Sequence, residues 1–111
     1  MSKRYSSPEK TVVKECLEYL RLMGIYAWRN NTGAVKIDGN RFLNFGLPGS
    51  SDITGILKGG IFIAVECKSD KGKLSEQQKI FMAKIKEQGG LAVLAHSFKD
   101  VEKALIENKY F

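Results

Sequence analysis

The chain contains little cysteine and histidine, and these shortages exclude several kinds of site. Its two cysteines, Cys16 and Cys67, lie in separate apolar segments. That spacing fits neither a disulfide framework nor a metal-binding motif, so both are expected to be core residues in a reducing compartment. His96 is the single histidine and stands at the end of an apolar run, where a structural role is favoured over a catalytic one. No set of Cys and His ligands supports a zinc site.

Long hydrophobic stretches are also missing. No apolar run is long enough to span a bilayer, and residues 1–5 lack the apolar core of a signal peptide. The 111 residues suffice for one domain, expected over 1–111, with a modest hydrophobic core. The sequence therefore predicts a cytoplasmic globular protein.

Positive charge is in excess. Lys and Arg number 18 against 12 Asp and Glu, giving a formal net charge of +6. Such a balance suits a polyanionic partner, because phosphate contacts by Lys and Arg supply most non-specific affinity for nucleic acid. Many small domains are basic for solubility alone, so charge by itself leaves both interpretations open.

Helical and strand patterns alternate along the chain without internal repeats. The first helix is predicted from about Pro8 to Met23, capped by the serines at 6 and 7, with proline at the first helical position and Gly24 at its end. Its core positions are expected to be Val12, Val13, Cys16, Leu17, Leu20 and Met23. A second helix opens near Ser75 with a capping box to Gln78, and its core stripe is assigned to Ile80, Phe81, Met82 and Ile85. A third helix starts near residue 97.

Asp38, Gly39 and Asn40 mark a hairpin between strands at residues 34–37 and 41–45. The hairpin alternates basic Lys36 and Arg41 with aromatic residues. Such a ribbon can contact a nucleic-acid backbone, and a solvated hairpin with one buried face would have the same sequence. Both interpretations stay open.

The most informative stretch is the apolar strand at 61–68, which ends with Glu66 and Lys68 on one face and Cys67 on the other. A tight turn at 58–60 joins it to the strand that follows Asp52, so the two strands are predicted to be antiparallel neighbours. Asp52 would then lie beside Glu66 and Lys68. Strand, helix and strand from residue 61 to residue 96 predict a parallel crossover.

Two carboxylates at one strand end suit a hard divalent cation, which prefers oxygen ligands and keeps several waters. A lysine beside them could orient a water or stabilise charge on a phosphate. This chemistry indicates hydrolysis of a phosphodiester by an activated water. A structural ion pair at the strand end is the alternative.

Asp52 followed by Glu66–Lys68 resembles the D…(D/E)-x-K core of the PD-(D/E)XK nuclease superfamily. More narrowly, residues 49–53, 65–68 and 72–78, with a following Phe81, resemble the VRR-NUC family of virus-type replication-repair nucleases. Ser51 replaces the proline that often precedes the aspartate. The resemblance extends over nearly the whole chain. It implies an α/β fold with a restriction-endonuclease-like α-β-β-β-α-β core, whose mixed sheet is flanked by helices.

The resemblance also implies cleavage of DNA with Mg²⁺ or Mn²⁺. The metal would be held by Asp52, Glu66, the backbone carbonyl of Cys67 and Glu9, the last directly or through water. Glu15 on the same helix is the alternative match to Glu9. Catalytic roles are expected for Asp52, Glu66, Lys68, which would assist the nucleophile, and Gln78, which would line the site.

DNA contacts are expected from five basic residues: Arg29, Lys36, Arg41, Lys71 and Lys73. Small stand-alone members of the family are similar to Holliday-junction resolvases, so branched DNA and a homodimer are expected, in a bacterial host cytoplasm if the chain is phage-encoded. There are two other hypotheses. One is a non-catalytic nucleic-acid-binding module that retains the nuclease fold. The other is a toxin–antitoxin or interaction protein with a purely structural charge cluster.

Overall fold

The computed structural model of the chain describes residues 8–111, so the serines predicted to cap the first helix lie outside the described residues. Three helices enclose a four-stranded mixed sheet, and a separate two-stranded hairpin projects from it. In chain order the elements are α1 (Glu9–Leu22), β1 (Tyr26–Arg29), β2 (Gly33–Asp38), β3 (Arg41–Phe45), β4 (Ile53–Leu57), β5 (Ile61–Cys67), α2 (Glu76–Glu87), β6 (Leu91–Ala95) and α3 (Phe98–Glu107).

Helix α1 is slightly shorter than its sequence pattern predicts. Pro8 has φ −57° and ψ 146°, which is not helical, so the helix begins at Glu9. Its apolar stripe of Val12, Val13, Cys16 and Leu20 is buried as predicted. The assignment of Met23 to the core was wrong: this residue is 39% exposed, because it lies past the last turn, where Gly24 at φ +79° redirects the chain.

The main sheet has the strand order β1-β4-β5-β6. Strands β1 and β5 both pair antiparallel with β4, and β5 pairs parallel with β6 through the crossover helix α2. The predicted tight turn between β4 and β5 is present, with Gly59 and Gly60 at φ +91° and +82°. The mixed sheet and the α-β-β-β-α-β core are therefore confirmed.

The two faces of the sheet are covered unequally. Ile53, Ile63 and Val65 point to the face where α1 and α3 pack, and they form the main core with Val12 and Leu105. Alternate residues of the same strands point to the opposite face. There α2 packs mainly against β5 and β6.

The four-residue core stripe predicted for α2 was wrong in part. Met82 is buried and Phe81 and Ile85 are half-buried, but Ile80 is 53% exposed. Helix α2 covers just two strands, so a narrow row of its residues is shielded. Ile80 is turned about 200° around the axis from Met82 and faces away from the sheet.

Strands β2 and β3 form a hairpin that stands clear of the sheet. Gly33 pairs with Phe45, and Ile37 forms a bulge next to the turn at 39–40. Every residue of both strands is exposed. The alternative interpretation, a solvated hairpin with one buried face, required buried residues that the hairpin does not have. The projection accounts for a radius of gyration of 15.2 Å, against about 13 Å for a compact chain of this length.

Within residues 8–111, no helix is long and apolar enough to cross a membrane.

Candidate active site

Antiparallel pairing of β4 and β5 brings the predicted acidic residues to one end of the sheet. Ile53 pairs with Val65, so Asp52 and Glu66 are the next residues beyond that pair. Both are on the α2 side of the sheet, because side chains alternate along a strand. Asp52 also contacts the neighbouring strand β5 directly: its Oδ2 accepts a hydrogen bond of 2.8 Å from the backbone N–H of Cys67.

Glu66 is the most enclosed of the acidic residues, with only 2% of its surface exposed. Its Oε2 accepts a 2.8 Å hydrogen bond from Gln78 Nε2 and lies 3.5 Å from Lys68 Nζ. Burial, and then the charge of Asp52, raise the pKa of Glu66 to about 7, although Lys68 opposes this shift. The site therefore holds a carboxyl group that is half-protonated near neutral pH.

Gln78 connects helix α2 to this carboxylate. Its Oε1 accepts from the backbone N–H of Ser75 at 2.9 Å, and Ser75 Oγ accepts from the Gln78 N–H at 3.2 Å, which completes the predicted capping box. The amide nitrogen remains free to donate to Glu66. One side chain therefore both caps the helix and orients the buried acid.

The loop before Asp52 is fixed from two sides. Gly49 has φ +82°, and a Cβ there would lie 2.7 Å from the Gln77 carbonyl oxygen, so the loop approaches α2 as only glycine allows. Asn30 Nδ2 donates to Ser50 Oγ at 2.8 Å and to the Ser51 carbonyl at 2.9 Å. The Asn30 N–H also donates to the Asp52 carbonyl at 2.7 Å. Sequence reasoning missed Asn30, whose only signal is its place in a polar turn after a strand.

His96 holds the segment that follows Lys68. Its Nδ1 lies 2.9 Å from the carbonyl oxygen of Ser69, and its backbone N–H donates to Asp100 Oδ2 at 2.8 Å. The Lys68 N–H donates to the Ala95 carbonyl at 3.0 Å, which extends the β5–β6 pairing past the strand end. These bonds position the backbone on both sides of Lys68.

The two glutamates considered on α1 lie in different surroundings. The charge of Glu9 is the weakest of the influences on the raised pKa of Glu66, so Glu9 lies within electrostatic range of the site but does not join Asp52 and Glu66 in a three-residue ligand set within residues 8–111. Glu15 instead lines a surface groove with Tyr19 and Phe98. The structure favours Glu9 as the acidic residue of α1 nearest the site.

The five basic residues predicted to bind DNA are all exposed. Arg29 pairs with Ile53 at the site end of the sheet, where both roots of the hairpin also lie. Lys36 and Arg41 are on the hairpin itself, and Arg41 forms an exposed 3.5 Å ion pair with Asp38. The remaining two are in the segment after Lys68: Lys71 and Lys73.

The donor set fits a hard divalent cation that retains waters. Two buried side-chain polar atoms among the described residues have no hydrogen-bond partner, and both are here: Glu66 Oε1 and Ser51 Oγ. An unpaired buried carboxylate oxygen is costly, and a cation would satisfy it. No three His, Cys, Asp or Glu side chains within residues 8–111 converge as a ligand set. Asp52 and Glu66 with the Cys67 carbonyl would thus leave positions for water, as Mg²⁺ prefers.

The thiol of Cys67 takes no part in this chemistry. The side chain is fully buried on the opposite face of β5, and its pKa is raised, first through a hydrogen bond with Cys16 and then by burial. It stays a neutral core group at physiological pH.

Comparison with known proteins agrees with this geometry. The family model described as the VRR-NUC domain matches residues 27–99. A solved structure titled "VRR_NUC domain" is 25% identical, with a TM-score of 0.61, and the match covers 89% of this chain and 94% of that one. A search of curated proteins found no significant match. The chain belongs to the VRR-NUC family, and its fold is that of a nuclease-type module.

Proposed function

We propose that the protein is a Mg²⁺- or Mn²⁺-dependent endodeoxyribonuclease, with Asp52, Glu66 and Lys68 at its active site. The observation that supports this most strongly is the buried, unpaired Glu66 Oε1 beside Asp52, with the Lys68 ammonium 3.5 Å from the other oxygen of Glu66. A purely structural ion pair would have no reason to leave one oxygen unsatisfied.

Each residue has a distinct part in the reaction. Asp52, Glu66 and the Cys67 carbonyl would hold the cation, which when bound supplies charge neutralisation and lowers the pKa of water. Lys68 would orient the attacking water and stabilise negative charge on the phosphate. The water oxygen would form the new bond to phosphorus, losing a proton to solvent, as the bond to the sugar oxygen breaks and that oxygen takes up a proton from solvent. Gln78, which donates to Glu66 Oε2, would hold the Glu66 carboxylate in one orientation for the cation.

The substrate we propose is branched DNA such as a Holliday junction, cut by a homodimer. The described domain has a basic hairpin and a basic segment beside the site, and phosphate contacts of this kind do not read sequence. Selectivity would then come from the shape of the DNA. A symmetric junction needs two cuts, which a two-fold pair of sites provides.

Cleavage of labelled DNA tests the proposal. Four-way junctions, flaps and plain duplex of the same sequence are incubated with Mg²⁺, with Mn²⁺ and with chelator. Asp52→Asn keeps an acceptor for the Cys67 N–H but loses the charge, and Lys68→Met loses the ammonium. We expect each variant to cut at least about a hundredfold more slowly, as is usual when a group that stabilises the transition state is removed. Asp70→Asn, an exposed neighbour, is the matched control and should cut normally.

Three outcomes would count against parts of this proposal. DNA binding without cleavage under any metal condition would favour the non-catalytic module. Full activity in Asp52→Asn or Lys68→Met would remove the proposed active site. Equal rates on duplex and junction would contradict branch selectivity alone.

A further inference from the structure

A cleft lies between the root of the hairpin and the loop that leads to Asp52. It has a volume of about 380 Å³, within the range of roughly 300–1,000 Å³ that is usual for ligand sites. Both walls contribute polar or aromatic residues to its lining: Asn44 and Phe45 from the end of β3, Pro48 from the loop and Gln77 from α2. All four residues are exposed, so a molecule that enters the cleft can reach them.

The Phe45 ring is packed at one end and open elsewhere. Phe45 pairs with Gly33 across the hairpin, and a Cβ added to Gly33 would lie 2.9 Å from the tip of the ring. The ring therefore packs on bare glycine backbone, which holds it in place. The residue is nevertheless 42% exposed. A fixed aromatic ring with open surface is a platform on which a nucleobase can stack.

The cleft is neutral, whereas its surroundings are basic. None of the described residues that line it is charged. Lys36 follows the lining residue Ala34 by two positions on β2, and Lys84 lines an adjoining groove with Gln77. These ammonium groups suit phosphates. A nucleobase is uncharged, and the carboxamides of Asn44 and Gln77 both donate and accept hydrogen bonds, as the edge of a base does.

Two short segments connect the cleft to the candidate active site. Gly49, which lines the cleft, is three residues from Asp52. Gln77 directly precedes Gln78, which donates to Glu66 at 2.8 Å. Three residues of chain span at most about 11 Å. That is the length of roughly three stacked nucleotides in one strand. A strand with a phosphate at Asp52 can therefore place a base close to the cut in the cleft.

We infer that this cleft binds one unpaired nucleobase of the DNA strand that is cut. A base inside a duplex is stacked on both faces and paired along its edge, so it can neither lie on the Phe45 ring nor bond to the carboxamides. Bases beside a branch, a flap or a strand end can present both surfaces. The inference rests on the proposed nuclease function and narrows its substrate to DNA with an unpaired nucleotide near the cut, but binding of the base needs neither metal nor cleavage.

Fluorescence anisotropy in chelator tests the inference with forked DNA. Three probes of one sequence are compared: a plain duplex, a fork with a short unpaired stretch on one strand, and the same fork with abasic sites throughout that stretch. The wild type should bind the fork at least about fivefold more tightly than the abasic fork, since loss of a base stacked on an aromatic side chain weakens binding by this factor or more.

Variants of the lining locate the effect. Phe45→Ala should bring the ratio of the two affinities close to one, and Phe45→Tyr should restore it, because tyrosine keeps the stacking surface. Gln77→Ala should lower the ratio by about twofold or more through a lost hydrogen bond. Phe42→Ala is the matched control, since Phe42 is an exposed phenylalanine on the same strand and is not among the described residues that line the cleft. Melting curves verify that each variant is folded.

Equal binding of the fork and the abasic fork by wild type would overturn the inference, as would a ratio that Phe45→Ala leaves intact. Tighter binding of the plain duplex than of the fork would also overturn it and would assign the cleft to paired DNA. If the ratio behaves as expected but no probe is cut when Mg²⁺ or Mn²⁺ is added, the base site stands and the nuclease proposal fails. If DNA is cut while the abasic fork binds as tightly as the fork, the nuclease proposal stands and the base site fails.

Discussion

Glu66 has conflicting surroundings, which give it properties that can be measured. It is buried beside another carboxylate, and these two influences outweigh the stabilising charge of Lys68. A metal ion would reverse the balance, because a cation favours the ionised form. At the proposed metal site, a proton and a cation would therefore compete for the carboxylate oxygens of Glu66.

Metal-free protein should lose stability as Glu66 ionises. The pKa of Glu66 is about 7 in the folded chain, against an ordinary value of 4.5. Between these values the native state holds a proton that the unfolded state has released, so the free energy of unfolding falls as pH rises through this range. We expect a loss on the order of 2 kcal/mol, measured by urea unfolding in chelator at several pH values.

Glu66→Gln isolates this contribution, since the amide does not titrate. The unfolding free energy of the variant minus that of wild type should increase from pH 5 to pH 7 and then level off, because only the wild type loses stability as Glu66 ionises. A constant difference would show that the Glu66 pKa is ordinary. Mg²⁺ should stabilise the wild type more above the Glu66 pKa than below it, because binding must displace the proton.

Gln78 should be separable from its capping partner. Ser75→Ala and Gln78→Ala each remove half of the capping box, and we expect each to cost about 1 kcal/mol of unfolding free energy. Only Gln78→Ala also releases Glu66 Oε2. Denaturant melts should therefore show a somewhat larger loss for Gln78→Ala than for Ser75→Ala, while cleavage assays should show a loss of at least about tenfold for Gln78→Ala alone. A comparable loss in both would reduce Gln78 to a helix cap.

Among the elements, the β4–β5 hairpin was the most predictable, and local rules explain why. Gly59 and Gly60 both adopt positive φ, which specifies a reversal, and the register then brings Asp52 to Glu66. The capping box at Ser75 was equally readable, because it depends on residues three apart.

Features that depend on which side chains are covered by other elements could not be predicted from local sequence rules. Ile80 has helical spacing but faces water, since α2 shields only two strands. The sequence also indicated the β2–β3 pairing without revealing that neither face is buried. The role of Asn30 in holding the loop before Asp52 was not predicted, because its partners at 50 and 51 are brought near only by the pairing of β1 with β4. These are long-range outcomes of packing.

The projecting hairpin should contribute to DNA affinity and little to stability. Its strands pair with each other and pack only marginally on other elements. Lys36→Ala combined with Arg41→Ala should leave the melting temperature nearly unchanged. The same pair should lower the slope of log affinity against log salt by about 2, one for each lost phosphate contact. Fluorescence anisotropy in chelator measures this without cleavage.

Lys99→Ala with Lys103→Ala is the control, since both lysines are exposed on α3 and have the same charge effect. If this pair lowers the salt slope as much as the hairpin pair, net charge accounts for the effect and the hairpin makes no specific contact.

At the scale of the whole molecule, the candidate active site and a set of exposed apolar residues lie at opposite ends of the sheet. The carboxylates and the hairpin roots lie at the end where β4 begins, and the exposed apolar residues Tyr26 and Ile56 lie near the end where it finishes. A two-fold pair built on these residues would have one site in each copy. A variant that cannot associate would therefore keep an intact site in each monomer and lose only the contact between copies.

Cutting of a plasmid cruciform distinguishes the activity of each site from the association of two copies. A dimer that cuts both strands of the junction in one encounter converts supercoiled plasmid directly to linear product. Ile56→Lys should instead accumulate nicked circles first, because a second monomer must arrive for the second cut. Its rate for the first cut should stay within a few-fold of wild type, since Ile56 is about 13 Å along the strand from Asp52. The Ile80→Lys control should linearise the plasmid normally. Direct linear product from monomeric Ile56→Lys would show that one copy makes both cuts, and a wild type that only nicks would show that the two sites act independently.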